Sequence, residues 1–231
     1  MATRPIFIVE TKGPALVREE LIDFVWHAGM AKSQRQMSMR SLHEAALAKH
    51  QGARILEVSR MSDNTLGEQL SAFNLKLEHK AQGREVSVEC VYQASKVFER
   101  GGPFLDLLNA MPGDAKTDLR LRESGRLLAF NVFGEDWPTE PSRAFYDWIY
   151  MNALDRHREL AFALNDYDIF TDIVFNPAKS INCQARSVAL YVALVRRGEL
   201  PAALSSRDAF LRMQARESSM NEDQSTQGSL F

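Results

Sequence analysis

The stretch VSVECVYQASKVFERGGP, residues 86–103, decides how the chain is read. At about 100° per residue, Val88, Cys90, Val91, Ala94, Ser95, Val97 and Phe98 fall on one half of a helical wheel. Glu89, Tyr92, Gln93, Lys96 and Arg100 fall on the other. The pattern predicts a helix over 87–100, stopped by Gly101-Gly102, with Pro103 in the first turn of another helix over 103–110. Glu89 and Lys96 then point nearly the same way, roughly 10 Å apart along the axis, with Tyr92 and Gln93 between them. Periodicity by itself describes an amphipathic helix with its polar half in water. A carboxylate, an amide, a phenol and an amine in one column also suit the floor of a site.

Outward from this helix, 5–10 (PIFIVE), 54–58 (RILEV), 127–133 and 170–175 read as strands, from their apolar runs. Residues 75–78 and 84–86 are expected to pair as a hairpin across Ala81-Gln82-Gly83. Helices are expected over Val17–Gly29, Ser38–Gln51, 142–164, 181–197 and 205–216, with Gly29, Gly52 and Gly198 as stops. Asp63–Gly67 is turn-rich, and Trp137-Pro138-Thr139-Glu140-Pro141 reads as a rigid loop before an N-cap at Ser142. The tail from Glu217 is polar and Ser/Gln-rich, the composition of disorder. The expected fold is one compact α+β domain, mainly helical with a few short strands, over 1–216, followed by a disordered tail over 217–231.

Composition bounds the function. With 231 residues, 45% apolar and 25% charged, the chain is an ordinary globular protein. The net charge of −2 argues against a protein that wraps a duplex, since such proteins neutralise many phosphates. Between Lys32 and Arg60, however, Lys32, Arg35, Arg40, Lys49, Arg54 and Arg60 face only Glu44 and Glu57. That segment either meets a polyanion locally or is a solvated face. No apolar run approaches the roughly 20 residues that span a bilayer, and MATRPIFIVE is broken by Pro5 and closed by Glu10, so a cytoplasmic protein is expected. Cys90 and Cys183 suit small buried hydrophobes rather than a disulfide scaffold or a zinc site.

The common catalytic signatures are missing from the sequence: there is no GxSxG elbow, Walker loop, GxGxxG or HExxH. His43 and His50 share a helix face but lack a third ligand. Chemistry in this chain therefore falls to carboxylates, lysines and aromatics.

Together with LSAFNLKL (70–77), the 86–103 stretch resembles the signature of the NADAR superfamily, a Leu-Ser-(Asn)-Phe segment followed by a helix with Glu, an aromatic-Gln pair and Lys. DWPTEPSRAFYDWIYMNAL (136–154), FTDIVFNPAKSINCQAR (170–186) and RPIFIVETKG near the start extend the likeness to the NADAR antitoxins partnered with DarT-type DNA ADP-ribosyltransferases. The resemblance covers nearly the whole chain except the tail. It departs at Ala72, where the wider family usually has Asn, and at Cys90, which replaces a residue that is often polar.

The resemblance implies a compact α+β N-glycosidase without metal or redox cofactor. In the antitoxin branch, such an enzyme removes ADP-ribose from guanine in DNA and so undoes the toxin's modification. Residues carried over by matching are Ser71, Phe73, Glu89, Tyr92, Gln93 and Lys96. Cleavage of the C1–N bond builds positive charge on the ribose and negative charge on the leaving base, which a carboxylate and a lysine can serve. Lys96 is assigned as nucleophile and Glu89 as proton shuttle; alternatively Lys96 binds a phosphate or ribose hydroxyl and Glu89 activates water. Phe73, Trp137 and Tyr146 are candidates to stack on a base or to form core. Asp172 and Asn176 suit ribose hydroxyls or turn caps, and Arg4 suits the pyrophosphate or is a mobile terminal residue. The expected partners are ADP-ribosylated guanine in DNA or RNA, the ADP-ribose product and a cognate DarT-type toxin, with no membrane. The rival functions are an N-glycosidase acting on a phosphoribosyl intermediate of riboflavin synthesis and a catalytically silent module that binds the toxin.

Overall fold

The computed structural model describes residues 1–79 and 83–227, with side chains as far as Glu217. Strand β1 (Ala2–Val9) forms where the apolar run at the amino end predicts it. Val17 to Phe24, expected as a helix, is strand β2, antiparallel to β1 along its whole length from Ala2↔Phe24 to Val9↔Val17. The helical spacing of Val17, Leu21 and Phe24 loses to this pairing. The strand turns Val17, Ile22 and Phe24 into the core and leaves Leu21 59% exposed.

Helix α1 (Lys32–Lys49) begins earlier than expected. Met39, Leu42 and Ala46, on one helical face, join Ile6, Ile8, Ile22 and Phe24 in a single core cluster. Ser38, expected near the helix start, is buried within it, and its hydroxyl accepts from the His27 N–H at 2.9 Å. Strand β3 (Ile55–Glu57) follows as predicted, and the expected turn at 63–67 is largely helix α2 (Thr65–Gln69), capped by the Asn64 side chain on Leu66 N–H.

Strands β4 (Lys76–His79) and β5 (Arg84–Ser87) form the expected hairpin, whose turn residues Ala81 and Gln82 lie outside the described residues. Helix α3 (Val88–Ala94) is half the predicted length, and strand β6 (Lys96–Phe98) takes over. The expected helix over 103–110 is a 3-10 turn, Leu105–Asn109. Short helices α4 (Pro112–Thr117) and α5 (Arg120–Glu123) precede β7 (Leu127–Val132) and β8 (Glu135–Trp137). Strands β6, β7 and β8 make one antiparallel sheet in that order.

The long helix expected over 142–164 is α6 (Ala144–Arg156) and α7 (Arg158–Ala163), broken at His157. The predicted strand at 170–175 is shorter and earlier, β9 (Ile169–Thr171), antiparallel to β1 and parallel to β3. The first sheet therefore runs β2-β1-β9-β3. Helix α8 (Gln184–Arg197) is buried over most of its length and ends at Gly198, whose φ of +71° is the left-handed cap its position predicts. After α9 (Leu200–Ala203), α10 (Arg207–Gln227) runs past the predicted helix end at 216, and 228–231 lie outside the described residues. Glu217, the first residue of the expected tail, is 2% exposed and accepts the Leu16 and Val17 N–H groups at 2.9 and 3.1 Å.

The chain is α+β, with helices outweighing short strands as expected. Its contacts gather into two units, Met1–Ser71 with Arg158–Phe231, and Ala72–His157.

Candidate active site

Within 72–157, the start of α3 is anchored twice. The Glu89 N–H donates to the Ala72 carbonyl and the Val88 N–H to the Leu75 carbonyl, each at 2.9 Å. Ser87 caps the helix by accepting the Cys90 N–H at 3.2 Å. The segment carrying Phe73 and the helix carrying Glu89 are therefore joined through the backbone, and at Ala72 the carbonyl makes the bond whatever the side chain.

The expected single polar column is corrected by the structure. The helix stops at Ala94, where the Ser95 hydroxyl turns back to the Val91 carbonyl at 2.7 Å. Lys96 opens β6, opposite Phe130. The β-branched and aromatic pair Val97-Phe98 favours a strand once β7 is there to receive it. Gly102 belongs to this corner: its φ is +86°, and a Cβ there would come within 2.1 Å of the Lys96 carbonyl oxygen. Arg100, expected on the polar half of the same helix, is exposed and donates to the Glu123 carbonyl at 2.6 Å.

A solvated polar face is also excluded. Glu89 is 5% and Gln93 6% exposed, and Tyr92 is the one residue of α3 that is not buried. Gln93 Nε2 donates to Glu89 Oε1 at 2.8 Å, while Gln93 Oε1 is buried without a partner. A buried acceptor left open costs about 1–3 kcal/mol, which a donated hydrogen bond would recover.

Lys96 is half-buried, with Nζ 4.6 Å from the centroid of the Tyr92 ring. Burial pushes its pKa down to about 8, against the pull of Glu89 and with added repulsion from Lys116. At pH 7 roughly one such amine in ten is neutral, against fewer than about one in a thousand for an ordinary lysine. Lys116, on α4, also lies with Nζ 5.4 Å from the Phe73 ring. No local motif marks it; only Pro112 at the helix start signals α4.

The aromatics divide. Half-buried Tyr92 meets Tyr146 edge-on at 5.2 Å and Phe130 at 5.6 Å. Trp137 is 1% exposed and packs on Phe145 and Trp148, a core position rather than an open stacking face. Tyr146 is 6% exposed and Phe73 half-buried. An apolar cavity of about 360 Å³ in this unit is walled by Leu77, Val91, Val132, Trp148 and Ile149; Glu89, Gln93 and Lys96 do not line it. Cys90 is a buried thiol bonded to the Ala110 carbonyl at 3.3 Å, and burial pushes its pKa up.

The remaining predicted site residues belong to the other unit. Ser71 is 2% exposed at its edge, with its N–H on the Glu68 carbonyl at 3.2 Å. Asp172 is buried and accepts the Val174 and Phe175 N–H groups and Gln184 Nε2. Burial, then the nearby Glu57 carboxyl, push its pKa up to about 7. Asn176 closes a turn on the Ala178 N–H at 3.1 Å. Arg4 is held rather than free, half-buried with its guanidinium 5.4 Å over the Trp26 ring.

Sequence reasoning missed Glu57. It is 2% exposed and accepts Ser59 Oγ at 2.6 Å, Thr171 Oγ1 at 2.7 Å and the Ile173 N–H at 2.9 Å. Because Thr171 gives its proton to Glu57, His43 Nε2 is the donor in the 2.8 Å bond to Thr171. Burial pushes the His43 pKa down to about 4. His50, weighed with His43 as a metal pair, meets Glu20 at 2.9 Å instead. Cys183 is buried, and that burial holds its thiol protonated.

Among the described residues no helix is long and apolar enough to cross a membrane. No curated protein matches the chain. A family model described as DarT1-associated NADAR antitoxin matches residues 2–224. That span takes in the anchored start of α3, Glu89, Gln93 and Lys96, and the chain belongs to the family of DarT1-associated NADAR antitoxins.

Proposed function

We propose that the protein is an N-glycosidase that removes ADP-ribose from guanine in DNA, with Lys96 as nucleophile and Glu89 as proton carrier. The observation that carries the proposal is the half-buried Lys96 amine, lowered to about 8, within electrostatic reach of a buried carboxylate. Lysine so desolvated is a nucleophile near neutral pH.

In the first step neutral Lys96 Nζ attacks C1 of the ribose. The C1–N bond to guanine breaks and its electron pair leaves with the base. Glu89 takes the proton released from the attacking amine and returns it to the departing guanine nitrogen. The ring oxygen then leaves C1 and takes a proton that Glu89 has drawn from solvent, which gives a hydroxyl and a protonated iminium between Nζ and C1. Water adds to C1, the amine departs and that proton is returned to solvent, leaving free ADP-ribose. The open Gln93 Oε1 suits a ribose hydroxyl, and the Tyr92 ring suits the positive charge that develops near Lys96.

Membership in a DarT1-associated antitoxin family supports functional pairing with a DarT-type toxin. The test is incubation with a guanine-ADP-ribosylated oligonucleotide. Released ADP-ribose and restored guanine are the expected products. Inertness toward that substrate, with protection from the toxin surviving Lys96→Ala, would instead establish a silent toxin-binding module.

A further inference from the structure

We infer that Arg4, Arg35 and Trp26 form a phosphate-binding site in the unit that does not carry Lys96. The inference deepens the glycosidase reading and rests on it for the nature of the ligand. The Arg4 and Arg35 guanidinium carbons lie 5.4 and 4.8 Å from the centroid of the same indole, Trp26. Phe24 braces that indole edge-on at 6.2 Å.

Two guanidiniums gathered on one ring repel each other, and proteins ordinarily relieve this with a carboxylate. Among the described residues none lies within ion-pair distance of either arginine. Arg4 donates Nη1 to its neighbour's carbonyl, Thr3, at 2.9 Å, and its Nε is buried with no partner at all. Asp172 is close enough to act on Arg4, but its oxygens are already taken by Val174, Phe175 and Gln184.

The helix carrying Arg35 adds to the imbalance. Its first turn holds no acid and Ala31 offers no capping side chain, while Lys32 at its start is answered by Glu68 at 3.4 Å. The amino end of an 18-residue helix carries positive partial charge, which an acid or a cap would normally answer. Open guanidinium donors, one of them desolvated, fit the tetrahedral oxygens of a phosphate ester. Both the diphosphate of ADP-ribose and the phosphodiester of a DNA strand present that group.

The test uses the full chain carrying Lys96→Ala, so that no turnover intrudes, and measures binding of ADP-ribose and of an unmodified single-stranded oligonucleotide. Arg35→Gln is expected to weaken at least one of them about tenfold, with Arg35→Lys recovering part of the loss. A loss confined to the oligonucleotide, with the slope of log K against log salt reduced by about 0.7, assigns the site to the phosphodiester. A loss confined to ADP-ribose assigns it to the diphosphate. Unchanged affinity for both ligands in Arg35→Gln and Arg4→Gln, or no binding of either by the parent, overturns the inference. Because binding is read without turnover, phosphate binding here together with no ADP-ribose release by the wild-type chain would sink the glycosidase reading and leave this one standing.

Discussion

Glu57 and Glu89 are both sunk into the protein, 2% and 5% exposed, and each belongs to a different unit. Glu57 has three donors on its two oxygens, and Thr171 links it onward to His43. Glu89 has the Gln93 amide on one oxygen, beside an open Gln93 carbonyl and a lysine that burial has weakened. A buried carboxylate saturated by its own protein stabilises a fold. One left with open neighbours stores an unmet interaction that a ligand can complete. On the proposed reading, the two clusters separate architecture from chemistry.

The largest effects should split along that line. Lys96→Ala is expected to lower the rate of ADP-ribose release by about 10³-fold or more while leaving thermal stability near wild type. Glu57→Ala should strand three donors and cost about 3 kcal/mol of unfolding free energy, read by urea denaturation. Glu89→Ala, by contrast, should cost about 1 kcal/mol or less and abolish turnover. Equal stability losses for Glu57→Ala and Glu89→Ala would erase the distinction.

Gly102→Ala sharpens the link between backbone and site. A Cβ 2.1 Å from the Lys96 carbonyl oxygen, at a φ of +86°, must displace β6. A loss of about 2 kcal/mol is expected, together with reduced turnover beyond what the lower stability explains.

Smaller effects concern protons. Lys116 repels the Lys96 ammonium, so Lys116→Gln should raise the Lys96 pKa above about 8. The neutral amine then appears at higher pH, and the alkaline rise in kcat/KM should shift the same way, with activity a few-fold lower at pH 7. An unmoved profile would mean that Lys116 does not act on Lys96. For Glu57 the sign is opposite in origin. Burial raises its pKa in the folded state, so folding favours the protonated form. Stability from this group is therefore greatest below the unfolded value of about 4.3 and is lost as pH rises through the folded value. Glu57→Gln can keep the network by donating to Thr171, which then donates to His43, while removing the charge. The unfolding free energy of the variant should gain on wild type as pH rises above about 4; a constant difference would contradict the raised pKa.

Much of this contrast was half legible in the amino-acid sequence. Glu89, Gln93 and Lys96 stand out because motif spacing is local, and β1, the 76–87 hairpin and Gly198 follow from local patterns too. What the spacing could not show was that Lys96 leaves the helix, since β6 exists only because β7 receives it. The same limit hid β2, whose helical spacing yields to eight paired residues of β1. Glu57, Trp26, Arg35 and Lys116 acquire their roles from neighbours far along the chain, such as Thr171 for Glu57 and Arg4 for Trp26. No short window of sequence contains those pairs.

The central claim is that Lys96 forms a covalent intermediate, and reductive trapping tests it most directly. The protein is mixed with guanine-ADP-ribosylated oligonucleotide and borohydride, and the peptides are weighed by mass spectrometry. An ADP-ribose adduct on Lys96 that is absent from Lys96→Ala is the predicted result. Full turnover with no adduct on Lys96 would contradict the account and leave Lys96 as a binding residue beside water activated by Glu89.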